Sequence, residues 1–375
     1  MTHRDLRVEE IAEQPAAEDL SGEWTELMDR ALDPEPFLTP EWYLSWWRAF
    51  GSGRMKLVVV RLGSRLVGLA PLRVESERLL GTTRRVLRFW SNPFSNRANV
   101  VLDREHASAA ARALVRHLFR AHGDWDLARL GPVLRSGEAT RALQAALDQE
   151  GALWGLREGH ASPYLVLPGD WSELEGTLGG SYRRSLRRKR RKVENQGASC
   201  SSFSPASLDD VEAAFRISER TWQHEHGTGL TSQPRIRSFY ENLAAGAARR
   251  GWLHLAYLHL DGRPVAFEYN LLYRGVLYNL KLGYESRARS LSPGLVLKGH
   301  VLQEAVEEGV REYDFLGEEE PYKMHWTRSV RPLGELWIHR RGPVSWLLHR
   351  TLFSLHPFLE RRAPWVLEAK RHLIR

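Results

Sequence analysis

The sequence contains a single cysteine, Cys200, so no disulfide can form within the chain. It also lacks any cysteine and histidine spacing that is typical of a structural zinc site. Disulfides persist in oxidising compartments and are rare in the cytosol. We therefore predict a reducing compartment, the cytoplasm, and no metal cofactor.

Long apolar runs are missing too, because nowhere do about 18 apolar residues follow one another as a membrane-spanning helix requires. The first residues, MTHRDLRVEEIAEQ, are polar and acidic, unlike the basic and then apolar pattern of a signal peptide. We expect a cytoplasmic protein without a leader or a membrane span. Attachment to the inner face of a membrane stays open, because the tail from Gly342 mixes bulky apolar residues with Arg, Lys and His.

Positive charge is in excess and clustered. The formal net charge is +8, and the segment SYRRSLRRKRRKVENQG, residues 181–197, holds eight Arg and Lys residues. Tyr182, Leu186 and Val193 recur at helical spacing, so one narrow face can dock while basic residues crowd the rest. Such a helix attracts anions: CoA phosphates, a tRNA backbone or an anionic membrane would each serve, and a merely solvated face is the alternative. No sequence-specific nucleic-acid motif accompanies it.

The length of 375 residues favours two domains. One order of elements occurs twice, namely a helix, a β-hairpin, a second helix and a strand. The last strand is WDLARL after Gly123 in the first half and YDFL after Gly309 in the second. We interpret this as a weak internal duplication, with a first domain at 1–160, a second at 161–341 and a basic amphipathic helical tail at 342–375.

The segment around Ser292 predicts an anion site. The strand VLYNLKLGYE leads into a short loop, and Ser292, Pro293 and Gly294 then open a helix. The first amides of a helix lack partners and lie at the positive end of the helix dipole, which suits phosphate. Arg287 and Arg289 precede this point and could add charge-assisted bonds to a diphosphate. An ordinary helix start is the alternative.

Two motifs resemble a known family. Arg289, Ser292 and Gly294, placed between a strand and a helix, resemble the acyl-CoA loop of GNAT-type acyltransferases, whose usual pattern is Arg/Gln-x-x-Gly-x-Gly/Ala; Ser292 stands where the pattern has its first glycine. The stretch YDFLGEEEPYKMHW resembles GNAT-like proteins linked to cellulose and exopolysaccharide biosynthesis, most specifically over residues 253–337. The resemblance implies an α/β (α+β) protein of two tandem GNAT-like folds, with mixed, mostly antiparallel sheets flanked by helices. Fem-type aminoacyl transferases share this doubled architecture.

The resemblance also implies the reaction. It predicts an N-acyltransferase that moves an acyl group from acyl-CoA to an amine, with an active second domain and a degenerate first domain. The acceptor class, a cell-envelope or exopolysaccharide precursor, is implied by the resemblance alone. The donor would lie along the strand VLYNLKLGYE, and its diphosphate is expected at Arg287, Arg289, Ser292, Gly294 and Leu295.

Acyl transfer to an amine needs a base or an ordered water to take the amine's proton. Asp314, Glu268 and Glu285 are the candidate bases, because carboxylates beside apolar strand positions can have raised pKa values. Lys323 is a further catalytic candidate: it could clamp a phosphate or an acidic acceptor, act as a base, or pair with one of the acids Glu318–Glu320. The predicted substrate contacts are Tyr322, Tyr284 and Trp326.

Two other functions stay open. A Fem-type transferase would take its aminoacyl group from tRNA bound by the basic helix, and this binding would be sensitive to salt. A non-catalytic accessory protein would bind neither donor. His224 and His226 lie two residues apart without a third ligand, so metal binding is not expected there. The oligomeric state cannot be predicted from the sequence.

Overall fold

The computed structural model describes residues 6–79, 81–120 and 124–340, together with residues 342, 346, 349–351 and 353. The chain divides into two compact units. Unit 2 consists of residues 35–51 and 160–332, and unit 1 of the other described residues. Most of the predicted tail at 342–375 lies outside the described residues.

The first half of the chain alternates short helices with long strands. In chain order its elements are β1 (Leu6–Ile11), α1 (Gln14–Asp19), α2 (Ser21–Arg30), α3 (Pro40–Phe50), β2 (Arg54–Leu62), β3 (Arg65–Leu79), β4 (Thr82–Phe89), β5 (Val101–Leu102), α4 (Ala107–Arg120), β6 (Leu127–Leu134), α5 (Glu138–Gln149) and β7 (Leu153–Val166).

The second half begins with helices and continues with a three-stranded meander. Its elements are α6 (Trp171–Thr177), α7 (Gly180–Glu194), β8 (Ser199–Phe203), α8 (Leu208–Ser218), α9 (Trp222–Glu225), α10 (Pro234–Arg249), β9 (Leu253–Leu260), β10 (Arg263–Tyr273), β11 (Val276–Tyr284), α11 (Pro293–Glu307), β12 (Glu312–Asp314), α12 (Pro321–Met324) and β13 (Val330–His339). A 3-10 turn, Ser286–Leu291, joins β11 to α11.

Each unit has a mixed sheet. The strand order is β1-β2-β3-β4-β6-β13, with most of these residues in unit 1, and β7-β12-β11-β10-β9-β8, with most of these residues in unit 2; β5 pairs with β3 outside this order. The pairs β4 with β6 and β11 with β12 are parallel, whereas the other pairs within these units are antiparallel. In both halves of the chain a long helix, α4 or α11, lies in sequence between the two parallel strands; in the first half the two-residue strand β5 also lies between them. The duplication predicted from WDLARL and YDFL is therefore visible in the topology, and the predicted fold class of mixed, mostly antiparallel sheets with flanking helices is confirmed.

The core of unit 2 explains how α7 is held. Helix α11 buries Leu302, Ala305 and Val306, which share one face of the helix. On α7, the buried Leu186 and Val193 join the same core. Gly299 of α11 permits this approach, since a Cβ there would lie 3.0 Å from the Leu186 side chain. Burial of an aliphatic side chain stabilises a fold by about 1.5–3 kcal/mol, so two apolar residues suffice to seat a helix that is otherwise basic.

Helix α3 belongs to unit 2 although it lies near the start of the chain. Thr39 caps it, with Oγ1 accepting the Trp42 amide at 3.3 Å, as the Thr-Pro sequence predicts. Trp42 packs edge-on against Phe239 of α10, with ring centroids 5.1 Å apart. Unit 2 therefore includes residues 35–51 in addition to residues 160–332. The predicted boundary at residue 160 divides the chain at a single point and leaves residues 35–51 in the first domain.

None of the helices in the described ranges combines the length and apolar character that crossing a membrane requires.

Candidate functional site

Strand β11 extends beyond the end of β12, its parallel partner. The two strands are paired over three residues, ending with Tyr278 opposite Asp314. Strand β12 stops there, while β11 continues to Tyr284 and stays paired with β10 on its other side. The register of β10 against β11 shifts between Asn279 and Lys281, so β11 bulges just where the two parallel strands separate. Beyond this point no strand of the described residues pairs with that edge of β11.

The free edge presents backbone groups to a ligand. Glu285 donates its amide to the Val265 carbonyl at 2.9 Å. Hydrogen-bonded and non-hydrogen-bonded pairs alternate in an antiparallel ladder, so Leu282 and Tyr284 turn their amide and carbonyl groups away from β10. The Leu282 carbonyl accepts Gln223 Nε2 at 3.1 Å, whereas the Leu282 amide and both backbone groups of Tyr284 have no partner among the described residues. An extended ligand that contains amides can pair with such an edge as an added strand.

Helix α11 starts from a left-handed residue. Ser292 has φ 55° and ψ 52°, and its side chain makes no capping bond. Instead, its Oγ accepts a hydrogen bond from Lys189 Nζ of α7 at 2.5 Å. The Leu295 amide donates to the Ser292 carbonyl at 3.0 Å, which leaves the Gly294 amide without a partner among the described residues. Glycine enters this φ range freely, which explains why a glycine is usual at this place in the resembled loop.

The predicted arginines of this loop have different surroundings. Glu285 is buried and accepts hydrogen bonds from Arg220, at 3.1 Å, and from Arg287. Arg289 is exposed, and no carboxylate of the described residues pairs with it. Lys192 of α7 donates to the Ser290 carbonyl at 3.4 Å. Arg287 therefore anchors the loop to Glu285, while Arg289 stands free to meet an anion beside the start of α11.

Asp314 and Lys323 meet at one turn. After β12 the chain passes through two successive left-handed residues, Leu316 with φ 55° and Gly317 with φ 60°. Asp314 Oδ1 accepts the Leu316 amide at 2.9 Å, and Lys323 Nζ donates to the Leu316 carbonyl at 2.7 Å. A left-handed conformation costs a residue with a Cβ roughly 1–2 kcal/mol, so these bonds hold the turn in place. Both residues predicted to be catalytic thus bind the backbone of the same turn.

Lys323 also pairs with one of the three acids of its loop. Its Nζ lies 2.6 Å from Glu320 Oε2. An ion pair with one of the acids Glu318–Glu320 was one of the alternatives for this lysine. Its neighbour Tyr322 is half exposed, and Trp326 is buried in the core, edge-on to Tyr182 at 5.5 Å. Of the predicted substrate contacts after β12, only the Tyr322 ring is open to solvent in this conformation.

Glu268 belongs to a buried polar network between the sheet and α11. Glu268 and Lys298 are both almost fully buried, and Lys298 Nζ lies 2.9 Å from Glu268 Oε1. Lys298 also donates to Asn279 Oδ1 at 3.1 Å and to the Tyr313 hydroxyl. The Tyr313 hydroxyl donates to Glu268 Oε2 at 3.0 Å. Burial lowers the pKa of Lys298, while Glu268 favours its charged form.

The network continues toward β9 and adjoins the bulge. Asn279 Nδ2 donates to Asn270 Oδ1 at 2.7 Å, and Asn270 Nδ2 lies 3.2 Å from Nδ1 of the buried His254. Sequence reasoning missed Lys298. Its signal was available, because Lys298 shares a helix face with Leu302 and Ala305 and so lies where an apolar residue is expected.

A group of possible metal ligands lies in unit 1, where Asp103, Glu105 and His106 bring ligand atoms within 4.8 Å of one another. Asp103 already accepts hydrogen bonds from Arg30 at 3.0 Å and Arg65 at 2.9 Å. Two guanidinium groups compensate its charge, so the arrangement is explained without an ion.

Residues 180–324 match the family model of the acetyltransferase (GNAT) domain. Over these residues the chain is similar to the acetyltransferase (GNAT) domain. The matched stretch runs from the start of α7 to the end of α12, and it includes the free edge of β11, the start of α11 and the turn after β12. The enzyme class predicted from the sequence, an acyltransferase, is confirmed.

Solved structures extend the likeness beyond the GNAT domain. The chain is similar to FemX, with 14% identity and a TM-score of 0.57 over 92% of this chain and 100% of that chain. It is similar to L-PGS from Bacillus licheniformis, with 13% identity and a TM-score of 0.55 over 91% of this chain and 98% of that chain. These identities show a shared fold and nothing finer. No curated protein matches the sequence.

Proposed function

We propose that the protein is an N-acyltransferase that moves an acyl group from acyl-CoA to an amine. The observation that carries this proposal is the continuity of the donor site in unit 2. The free edge of β11 runs through a short turn into the start of α11, where the Gly294 amide has no partner in the described part of the chain and Lys189 and Arg289 add positive charge. Coenzyme A carries amides in its pantetheine arm, followed by a diphosphate. The pantetheine amides would pair with the edge of β11, and the diphosphate would lie at the start of α11.

The reaction needs little covalent chemistry from the protein. The neutral amine nitrogen attacks the thioester carbonyl carbon, the new C–N bond forms, and the C–S bond breaks with departure of the thiolate. The predicted bases Glu268, Asp314 and Glu285 are all held by donors in this conformation. The amine's proton therefore passes to the departing thiolate by way of solvent.

The acceptor is proposed to be an amine of a cell-envelope or exopolysaccharide precursor, which rests on the resemblance of the YDFLGEEEPYKMHW stretch. The half-exposed Tyr322 and the partly buried Tyr284 remain the proposed substrate contacts. Attachment to an anionic membrane through α7 likewise remains a proposal.

A Fem-type reaction with aminoacyl-tRNA is the second candidate. The observation that favours it is the outer face of α7, where Arg184, Arg188 and Arg191 line an open pocket and have no carboxylate partner among the described residues. Three exposed guanidinium groups on one helix suit a phosphate backbone.

Calorimetry at low salt with acetyl-CoA, a longer acyl-CoA and aminoacyl-tRNA separates the two candidates. We expect acyl-CoA to bind, and Lys189→Met to weaken that binding about tenfold by removing one charge-assisted bond near the diphosphate. Arg263→Met, which removes an exposed cation at the start of β10, is the matched control and should leave binding unchanged. Absence of acyl-CoA binding to the wild-type protein, with salt-sensitive binding of aminoacyl-tRNA, would replace the first proposal by the second.

A further inference from the structure

The two faces of β11 beyond the bulge are occupied differently. A Cβ on Gly294 of α11 would lie 3.2 Å from Leu282, so Leu282 points toward the start of α11 and the proposed diphosphate site. Side chains alternate along a strand, which puts Lys281 and Gly283 on the opposite face. A Cβ on Gly283 would come within 3.3 Å of Thr221, so the segment after α8 covers that second face closely.

The covering segment is a small closed loop anchored on β11. The Gln223 carbonyl accepts the amides of Thr228 at 2.8 Å and Gly229 at 3.0 Å, which closes the loop on itself. Gln223 Nε2 donates to the Leu282 carbonyl at 3.1 Å, and Lys281 Nζ donates to the Thr228 carbonyl at 3.0 Å. The Leu282 carbonyl therefore holds the Gln223 side chain in place, and the Thr228 carbonyl holds the Lys281 side chain.

Gln223 presents an unused acceptor. Its Nε2 must face the Leu282 carbonyl, because only the amide nitrogen can donate, and this sets the direction of Oε1. Gln223 Oε1 is screened from solvent and has no hydrogen-bond partner among the described residues. A buried carbonyl oxygen left without a partner costs about 1–3 kcal/mol, and an N–H group from a ligand would remove that cost.

Lys281 presents an unused positive charge. Its amine binds one carbonyl, and no carboxylate of the described residues lies within ion-pair distance. The side chain is only half-buried overall, yet burial around the amine lowers its pKa to about 8. A cation that is partly removed from water and lacks a counter-ion is stabilised when an anionic group comes beside it.

We propose that Gln223 Oε1 and Lys281 Nζ form the acceptor subsite, and that the acceptor is a primary amine that also carries a carboxylate or a phosphate. This inference rests on the proposed function and names its substrate class. Gln223 accepts an N–H of the amine, and Lys281 binds the anionic group. Both side chains are held where the loop meets adjacent residues of β11. Lys281 lies on the face of β11 opposite the start of α11, which keeps the anionic group of the acceptor apart from the donor diphosphate.

Competitive labelling of Lys281 tests the subsite directly. The protein is treated at pH 8 with a trace of an amine-reactive reagent, and the label on Lys281 is measured by peptide mass spectrometry. The probes are matched pairs, glucosamine 6-phosphate with glucosamine and glycine with glycinamide. We expect at least one acidic member to slow the labelling of Lys281 about tenfold relative to its uncharged counterpart, the effect of one charge-assisted bond. Equal labelling within both pairs overturns the proposal.

Variants separate binding from folding. Gln223→Leu keeps the side-chain size and should raise the probe concentration for half-protection about tenfold, whereas Gln303→Leu, the same change on α11 where Gln303 bonds Glu307 at 2.7 Å, should not. Unchanged protection in Gln223→Leu removes Gln223 from the subsite. Calorimetry with acetyl-CoA on the same samples keeps the two proposals distinguishable. If acetyl-CoA binds and no probe protects, the subsite alone is wrong; if a probe protects and acetyl-CoA does not bind, the donor assignment alone is wrong.

Discussion

Ser292 and Leu316 both adopt left-handed backbone conformations although both carry a Cβ. Each is bonded by a lysine from another segment, Ser292 by Lys189 and Leu316 by Lys323. One lysine holds the start of α11 and the other holds the turn after β12. Left-handed residues other than glycine are rare and need such support, and they concentrate at functional sites. The sequence marked all four positions as functional candidates or as parts of the motifs, but only the long-range contacts show what the lysines do.

Substitution of Ser292 tests the cost of its conformation. Ser292→Gly should keep acyl-CoA affinity within about twofold and should change the free energy of unfolding by less than about 1 kcal/mol, because relief of the left-handed strain offsets the lost Lys189 bond. Ser292→Val should lower the free energy of unfolding, since a β-branched residue resists this φ. Urea unfolding and calorimetry check both. A glycine variant that is less stable than the valine variant would contradict the explanation.

Lys298 tests the buried network. Lys298→Met leaves Glu268 buried without its cation, and we expect a loss of about 3–5 kcal/mol in the free energy of unfolding. Glu268→Leu combined with Lys298→Met removes both charges and should recover much of that loss. Lys192→Met, on the exposed side of α7, is the control and should cost little. If the double variant is no more stable than Lys298→Met alone, the unpaired Glu268 charge is not the cause of the destabilisation.

Among the elements, α7 has two roles on two faces. Leu186 and Val193 dock it on the core of unit 2, and Lys189 and Lys192 reach the loop ahead of α11. Its outer face carries the remaining arginines, of which Arg187 pairs with Glu175 at 2.8 Å. The docking residues and the charge were predictable from helical periodicity. The contacts to the loop were not, because they join segments about 100 residues apart in sequence.

Removal of the outer charges should affect polyanions and spare the donor. The triple variant Arg184→Gln, Arg188→Gln, Arg191→Gln should lower the slope of log affinity for single-stranded RNA against log salt by about 2, since each neutralised phosphate contributes about 0.7. Its affinity for acetyl-CoA should match wild type. Filter binding over a range of salt concentrations measures the slope, and an unchanged slope would exclude this face as the polyanion surface.

Other elements show where local patterns stop. The predicted strand YDFL is paired only as far as Asp314, within β12 (Glu312–Asp314). The bulge in β11 has no sequence signal of its own, because it arises where Asn270 and Asn279 bond across two strands beside the Glu268 network. Gln223 was passed over because nothing in a four-residue helix such as Trp222–Glu225 indicates that its side chain reaches another strand.

At the scale of the whole molecule, each unit contains a buried histidine that resists protonation. Burial and the neighbouring His349 lower the pKa of His339 in unit 1 to about 4, and burial lowers the pKa of His254 in unit 2. Free histidine titrates near 6.5, so between about pH 6.5 and 4 the unfolded chain binds more protons than the folded one. The free energy of unfolding must therefore fall as pH falls through this window.

The contribution of His339 is up to roughly 3 kcal/mol at pH 4. His339→Phe, which keeps a ring of similar size, should make the stability of unit 1 less dependent on pH in this window. Urea unfolding at several pH values, followed by tryptophan fluorescence, measures this. Parallel stability curves for the variant and wild type would show that His339 is not the titrating group.

Helix α3 has a consequence for modularity. The stretch that matches the GNAT family starts at residue 180, yet the hydrophobic core around α10 is completed by residues 35–51, where Trp42 and Phe37 are buried. Glu41 reinforces this attachment through its pair with Arg250 at 2.7 Å. Helix α3, from the first half of the chain, is therefore part of unit 2. A fragment that starts at residue 160 would lack α3 and would expose the aromatic residues of α10 that pack against it. The two halves of the chain therefore cannot be exchanged between proteins as independent domains.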